Sequence, residues 1–256
     1  MFRAIWKLIQ MITLGVVAFI VFALIYELAT FPRVEKLRDN NPETTALIET
    51  RIQEARARGE QPKRVQQWVP LERISVHLLR AVLAGEDSNF ATHDGFDYDA
   101  IQKAWEQAQR DAAKEAKQQG EDESSWIPAM PSFKRGASTV SQQLSKNLYL
   151  STERSFVRKA REAAITYFLE KHLSKRRILE IYLNVIEWGD GIYGAEAAAQ
   201  SYFRKPAANL TAQEAAFLSA IIPNPRTEFN PQINPRRVAR RQRIIARGMP
   251  HVKLPN

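Results

Sequence analysis

From Leu8 to Tyr26 the run LIQMITLGVVAFIVFALIY carries no charged side chain. As a helix, its roughly nineteen residues reach about 30 Å, the thickness of the hydrocarbon core of a bilayer. A helix that is apolar on every side has no face to offer to water and must lie in lipid or inside a large core. A cleavable signal would have a shorter apolar region and a small-x-small cleavage site. Glu27, Leu28 and Ala29 follow this run without such a site, so residues 1–30 read as a short tip and a single retained transmembrane anchor. Charge does not orient the anchor. Arg3 and Lys7 flank one end, and Arg33, Lys36 and Arg38 flank the other.

The rest of the 256-residue chain has room for one sizeable core. Residues 31–67 are polar and charged, and NPETTALIETRIQEARARGEQ reads as an exposed helix within a stalk or linker. A globular part is expected from about Trp68 to Met249. Its apolar positions recur at three- and four-residue spacing and strand-like alternation is scarce, which makes it mainly α-helical. Thr211-x-x-Glu214 reads as a capping box before an Ala-rich helix that Pro223 and Pro225 end, and Asn234 before Pro235 as an N-cap. Between Lys103 and Lys134, QAQRDAAKEAKQQGEDES reads as a solvated helix extension. The following SSWIPAMPSF sets Trp126, Ile127, Met130 and Phe133 among prolines, as a packed loop or a segment dipping into a membrane interface. The net charge of +9 points to an anionic partner without choosing among nucleic acid, phosphate-bearing substrate and acidic membrane. With no cysteine, there is neither a disulfide framework nor a thiolate metal site.

Four segments combine charges, hydroxyls and glycines. In AGEDSNFATHDGFD, Glu86 and Asp87 end the apolar helix around HLLRAVL, with Phe90, His93 and Gly95 close behind. A carboxylate emerging from an apolar helix beside an aromatic ring is partly desolvated and becomes a better proton acceptor near neutral pH. A helix terminus with solvated acids and a turn glycine accounts for the same residues. In KRGASTVSQQLSKNLYL, Ser138 or Thr139 caps a helix whose apolar face is Val140, Leu144 and Leu148. Its other face stacks Ser138, Gln142 and Lys146, with Gln143 and Asn147 beside them. Such a ridge suits a phosphate or sugar hydroxyls, although an exposed helix face looks similar. In ERSFVRKAREAAITYFLEKHL, Ser155 is an N-cap and Arg158, Lys159 and Glu162 share one side. Glu162 either pairs with these cations on the surface, or sets their geometry around a pyrophosphate or helps to hold a divalent metal. The fourth segment, SKRRILEIYLNVIEWGDGIYGAEAAAQ, reads as a second apolar helix with Ile178, Ile181, Tyr182 and Val185 on its core face and Gly189 and Gly191 at its end. Its role is read as structural for most positions. The helix RRVARRQRIIAR is either a contact for anionic lipids or a solubilising surface.

Several chemistries find no residues here. His77, His93, His172 and His251 lack metalloprotease spacing, and there is no Walker-type loop, no GxSxG elbow and no Ser-x-x-Lys.

In order, the four segments carry Glu86-Asp87-x-x-Phe90-x-x-His93-x-Gly95, then Gly136-x-Ser138-Thr139-x-x-Gln142-Gln143-x-x-Lys146-Asn147, then Arg158-Lys159-x-x-Glu162, and Lys175-x-x-Ile178-Leu179-Glu180-x-Tyr182-Leu183-Asn184. From about Trp68 to Met249, within a domain taken as residues 68–256, the chain resembles the monofunctional peptidoglycan glycosyltransferases and the corresponding half of bifunctional penicillin-binding proteins. This resemblance implies a mainly α, lysozyme-like domain behind the anchor and lipid II as substrate, with inversion and release of undecaprenyl diphosphate. It implies that Glu86 is the base and Glu162 the second essential glutamate, on the donor side. Ser138, Gln143, Lys146, Arg154, Arg158 and Lys159 match donor-site positions, and Asp87, Phe90, His93, Thr139, Gln142 and Asn147 complete the substrate-binding set. It further implies Mg²⁺ or Mn²⁺ near the pyrophosphate, with Glu162 as the candidate ligand, and no organic cofactor. The partners implied are lipid II, the nascent glycan strand, the cytoplasmic membrane and cell-division or wall-synthesis proteins, with no nucleic acid. The N-terminus would be cytoplasmic and the catalytic domain periplasmic, in a single-pass inner-membrane protein. The chain departs from the family in a longer connection around Lys114–Ser125. The rival readings are a lysozyme-like hydrolase or lytic transglycosylase, which would have no use for the cations, and a non-catalytic scaffold, which would not need both glutamates. Glu86 and Glu162 are expected to face one cleft.

Overall fold

The computed structural model describes residues 2–119, 138–150 and 155–256. The chain divides into two compact units, residues 1–33 and 34–256. The first is the helix α1 (Phe2–Ala29), with Trp6, Leu14, Phe19 and Leu28 exposed. It is long and apolar enough to cross a membrane.

The second unit is mainly helical. Its core is built on α3 (Val76–Glu86), which packs against α9 (Ala212–Ile221) and α10 (Pro235–Gly248). Leu78, Ala81, Val82 and Leu83 of α3 are fully buried, facing an α9 that is rich in alanine. Small side chains let these helices approach closely, and Gly85 marks the tightest point. A Cβ there would lie 2.6 Å from the Ser219 hydroxyl oxygen and 3.1 Å from Ile245. Beside this layer stand α5 (Val140–Tyr149), α6 (Phe156–His172) and α7 (Lys175–Val185). In α7, Ile178, Leu179, Ile181, Tyr182, Leu183 and Val185 have no solvent exposure, so apolar contacts surround it. The capping predictions hold at Thr139 for α5, Ser155 for α6 and Thr211 with Glu214 for α9. Asn234 precedes the first-turn proline of α10 as expected, but its side chain makes no cap bond and instead donates to the carbonyls of Thr227 and Glu228.

Two expectations change. First, α7 ends at Val185, and Gly189 and Gly191 belong to a hairpin of β2 (Glu187–Gly189) and β3 (Ile192–Tyr193) that precedes α8 (Ala195–Phe203). Second, the stretch assigned to a stalk is largely part of the folded unit. Val34, Leu37 and Ile48 are buried, α2 (Ala46–Ala57) packs against α5, and β1 (Val65–Gln66) pairs in parallel with β3 in a sheet of order β1-β3-β2. The Arg177 guanidinium clasps this segment by donating to the carbonyls of Leu37 and Asn40. Its high charge hid three apolar anchors spaced too irregularly to read as a helix face. The helix extension after Lys103 is found as expected in α4 (Tyr98–Gln119), as far as the described residues reach; Trp126, Ile127, Met130 and Phe133 lie outside them.

The domain boundary is directly testable. A chain beginning at residue 34 should melt as one cooperative unit, whereas one beginning at residue 68 should not. Removing Val34, Leu37 and Ile48 forfeits about 5 kcal/mol of apolar burial, on the scale of a whole domain's stability. Circular dichroism melts of the two truncations provide the measurement.

Candidate active site

Glu86 is the last residue of α3, and its side chain is only 9% exposed because α9 and α10 close over Gly85. Burial pushes its carboxyl above the usual glutamate range, opposed by Arg241, Gln143 and Lys146. Oε1 accepts from Arg241 Nη2 at 2.7 Å, and the same nitrogen donates to the Gly85 carbonyl at 2.9 Å. Oε2 accepts from Gln143 Nε2 at 2.9 Å. The Tyr182 hydroxyl donates to Gln143 Oε1 at 2.9 Å, which fixes the amide with its nitrogen towards Glu86. Tyr182 is wholly buried and its phenol is pushed well above its usual range, so it stays a donor. Every partner of the carboxylate donates to it.

Glu86 borders a cavity of about 190 Å³ with Asp87, Ser88, Asp97, Ser138 and Thr139. A larger cleft of about 430 Å³ is lined by Gln143, Lys146, Asn147 and Arg158, with Arg51 and Glu187 also in its wall. Arg51 reaches Glu187 at 3.0 Å. Burial pulls the Lys146 ammonium below its usual range, Glu162 and Glu86 pull it back up, and Arg158 and Lys159 push it down. Glu162 is 3% exposed, with Arg158 Nη1 2.9 Å from one oxygen and Lys159 paired to the other. The expectation that both glutamates face one cleft is not met. Glu86 opens on the smaller cavity, Glu162 does not border the larger cleft, and Gln143 and Lys146 connect the two regions.

Other candidates are committed to the scaffold. Asp87 accepts from His93 Nε2 at 2.9 Å and from the Val140 N–H at 2.9 Å. The Gly95 N–H donates to His93 Nδ1 at 3.1 Å, so the imidazole carries its proton on Nε2. The Thr139 hydroxyl donates to the Gly95 carbonyl at 2.7 Å while accepting from the N–H of Gln142, whose side chain closes the capping box. Phe90 is fully buried, with the Lys175 ammonium 4.5 Å from its ring centre. The expected substrate contacts of Phe90, His93 and Gln142 thus give way to holding residues 87–97 on the start of α5. Asp87 and Thr139 still edge the small cavity, Ser138 is exposed beside it, and Asn147 lines the large one. Arg154 lies outside the described residues.

Sequence reasoning missed Arg241, Arg51 and Glu187. Arg241 had a signal: it sits three residues after Val238 and four before Ile245, both buried, so it occupies the inward face of α10. The donors fit a protein-held metal poorly. Both Glu162 oxygens already face cations, and no cluster of three or more His, Asp or Glu among the described residues is placed to hold an ion.

A desolvated carboxylate surrounded by donors, near a cleft lined by cations, is an arrangement suited to accepting a proton beside an anionic group. A family model described as Transglycosylase matches residues 52–121 and 124–250. The chain belongs to this transglycosylase family, whose domain is lysozyme-like. It is 42% identical over 253 residues to a biosynthetic peptidoglycan transglycosylase of Thiobacillus denitrificans, covering 99% of each chain. A protein of that name from Aromatoleum aromaticum is 44% identical over 223 residues, 87% of this chain and 88% of the relative. Another, from Laribacter hongkongensis, is 42% identical over 250 residues, 97% and 100% of the two chains.

Glu162 neutralises Arg158, which lines the cleft, and Lys159 beside it, so Glu162→Gln should raise affinity for inorganic diphosphate about fivefold, the effect of about 1 kcal/mol of relieved opposition. Isothermal titration at fixed ionic strength measures it, and weaker binding would show instead that Glu162 is needed to shape the cation pair.

Proposed function

We propose that this enzyme polymerises peptidoglycan glycan strands from lipid II by inverting transfer, releasing undecaprenyl diphosphate. One observation carries the reading: Gln143 donates to the buried Glu86 carboxylate and also lines the cleft that holds Lys146 and Arg158. Inverting transfer needs a base on the acceptor face and charge neutralisation on the leaving-group face. Glu86 takes the proton of the acceptor's 4-hydroxyl, whose oxygen bonds to the donor's anomeric carbon. The bond from that carbon to the diphosphate oxygen breaks, and the electron pair leaves on the diphosphate. Lys146 and Arg158 receive that charge from the cleft wall, with Lys159 and Glu162 behind them. Asn147 and Ser138 supply hydrogen bonds to substrate oxygens, and Arg154 belongs to the same donor-side set.

A divalent ion, Mg²⁺ or Mn²⁺, enters this proposal as a counter-ion carried by the diphosphate, and no step depends on it. The α1 helix is compatible with a single-pass anchor. The lipid-linked substrate places the domain on the periplasmic side of the inner membrane, with a cytoplasmic N-terminus, beside other wall-synthesis and cell-division proteins. A lysozyme-like hydrolase is disfavoured, because a neutral glycan brings no charge for Lys146 and Arg158 to meet.

Detergent-solubilised full-length protein should convert labelled lipid II to long glycan, and Glu86→Gln should slow it by about 10²–10⁴-fold. The wild-type rate should fall as pH drops through the raised Glu86 value, above the ordinary 4.5 of a glutamate, because only the ionised carboxylate accepts a proton. Electrophoresis of the products reads both. Release of fragments from mature sacculi, without polymer from lipid II, would establish the hydrolase instead.

A further inference from the structure

Glu86 is held from the far end of the chain. Arg241 lies 155 residues away, on α10, and its Nη2 spans the Glu86 carboxylate at 2.7 Å and the Gly85 carbonyl at 2.9 Å. The Phe229 ring lies 5.6 Å from the guanidinium and also faces Arg237, at 5.0 Å. Arg237 pairs with Glu228, so the neighbouring cation is occupied elsewhere. One feature argues against a purely stabilising role. Arg241 Nε is buried without a hydrogen-bond partner, a cost that a packing side chain at this position would avoid. Such an unmet donor on a half-buried arginine is tolerable where its charge is needed, and the group it meets is Glu86.

We propose that Arg241 is the positioning residue of this site: anchored on the Gly85 carbonyl, its guanidinium fixes the Glu86 carboxylate in one orientation and keeps it anionic and ready to accept a proton. This inference rests on the functional reading above and adds to it a residue that acts through Glu86 rather than on substrate. Arg241 does not border either cavity described above, whereas Glu86 borders the smaller one. The other groups facing Glu86 leave the task to Arg241. On α5, Gln143 is neutral, and Lys146 is shared with Glu162. On α7, Tyr182 is neutral and engaged with Gln143. On α9, Ser219 donates to the Ala81 carbonyl. Asp87 and Asp97 border the same cavity, and their negative charge works against ionisation of Glu86. Asp87 is partly screened by its bonds from His93 and Val140. Loss of the Arg241 charge therefore shifts Glu86 towards its protonated form, and a protonated Glu86 is not a base.

The test uses full-length protein in detergent, with Arg241→Gln and Arg241→Lys. Rates of lipid II polymerisation are measured from about pH 5 to 9, separating kcat from KM. For Arg241→Gln the acid limb of kcat should move up by about one pH unit, so that a loss of about thirtyfold on the limb shrinks to about threefold on the alkaline plateau. Arg241→Lys keeps the charge without the planar fork and should fall between the two. An even loss at every pH with the limb unmoved, or an effect confined to KM, overturns the proposal. Should Arg241→Gln fail to fold, Arg241→Lys decides by the position of its limb. An isotope-edited infrared titration of the Glu86 carboxyl, assigned by its disappearance in Glu86→Gln, reads the same shift without turnover. If wild-type protein makes no polymer, the functional reading fails, while this titration still upholds or refutes the hold of Arg241 on Glu86.

Discussion

A carboxylate taken out of water costs several kcal/mol unless donors replace its hydration. Glu86 is seated at the end of an apolar helix, under α9 and α10, and the protein meets that cost with donors from two other helices. Arg241 comes from α10 and Gln143 from α5, and Tyr182 of α7 fixes the direction of the Gln143 amide. None is near Glu86 in sequence, so the charged site exists only when the helices have docked. Gly85 shows how closely docking and chemistry are tied, since a side chain there would meet Ser219 and Ile245 and push away the helix that carries Arg241.

Adjacent acids divide the work. Glu86 ends the helix and turns to a cavity, whereas Asp87 takes an extended conformation and turns inward to His93 and the first N–H of α5. From Asp87 the scaffold continues through Gly95, whose left-handed φ of 88° and close fit against Thr166 and Glu170 exclude a side chain. Glu170 is tied in turn to Lys175, whose ammonium lies over Phe90. The fourth motif closes the frame from the other side. Its Asn184 amide accepts from the Val69 N–H and donates to the Val69 carbonyl, each at 2.9 Å. Much of the motif pattern is thus the frame that keeps Gln143 and Lys146 in register with Glu86.

What could be read from the sequence was what local chemistry decides. Helical periodicity, the caps at Thr139, Ser155 and Thr211, and the exposed apolar anchor each depend on residues a few positions apart. The roles of Phe90, His93 and Gln142 were not readable, because a polar or aromatic side chain that binds substrate and one that pins a loop have the same local pattern. The hairpin at Glu187–Tyr193 was hidden for a different reason: its strands are too short for alternation to register, and its order comes from pairing with Val65 and Gln66 far upstream. Arg241 was obscured by the arginines around it. Its inward register between Val238 and Ile245 separates it from exposed Arg240 and Arg243, and that distinction requires weighing each charge by its face.

The two glutamates end in opposite electrostatic situations although both are buried. Around Glu86 two cations, Arg241 and Lys146, and one amide oppose the burial, and its carboxyl remains above the ordinary range. Around Glu162 two cations take one oxygen each, which leaves it little freedom to reach a reacting atom. Lys146 feels both glutamates and is itself drawn towards neutrality by burial. A diphosphate entering the cleft would favour the charged form of Lys146 and, being negative, oppose a charge on Glu86. In the proposed reaction, donor binding and the protonation of Glu86 are therefore coupled through Lys146, and the Arg241 charge limits that coupling.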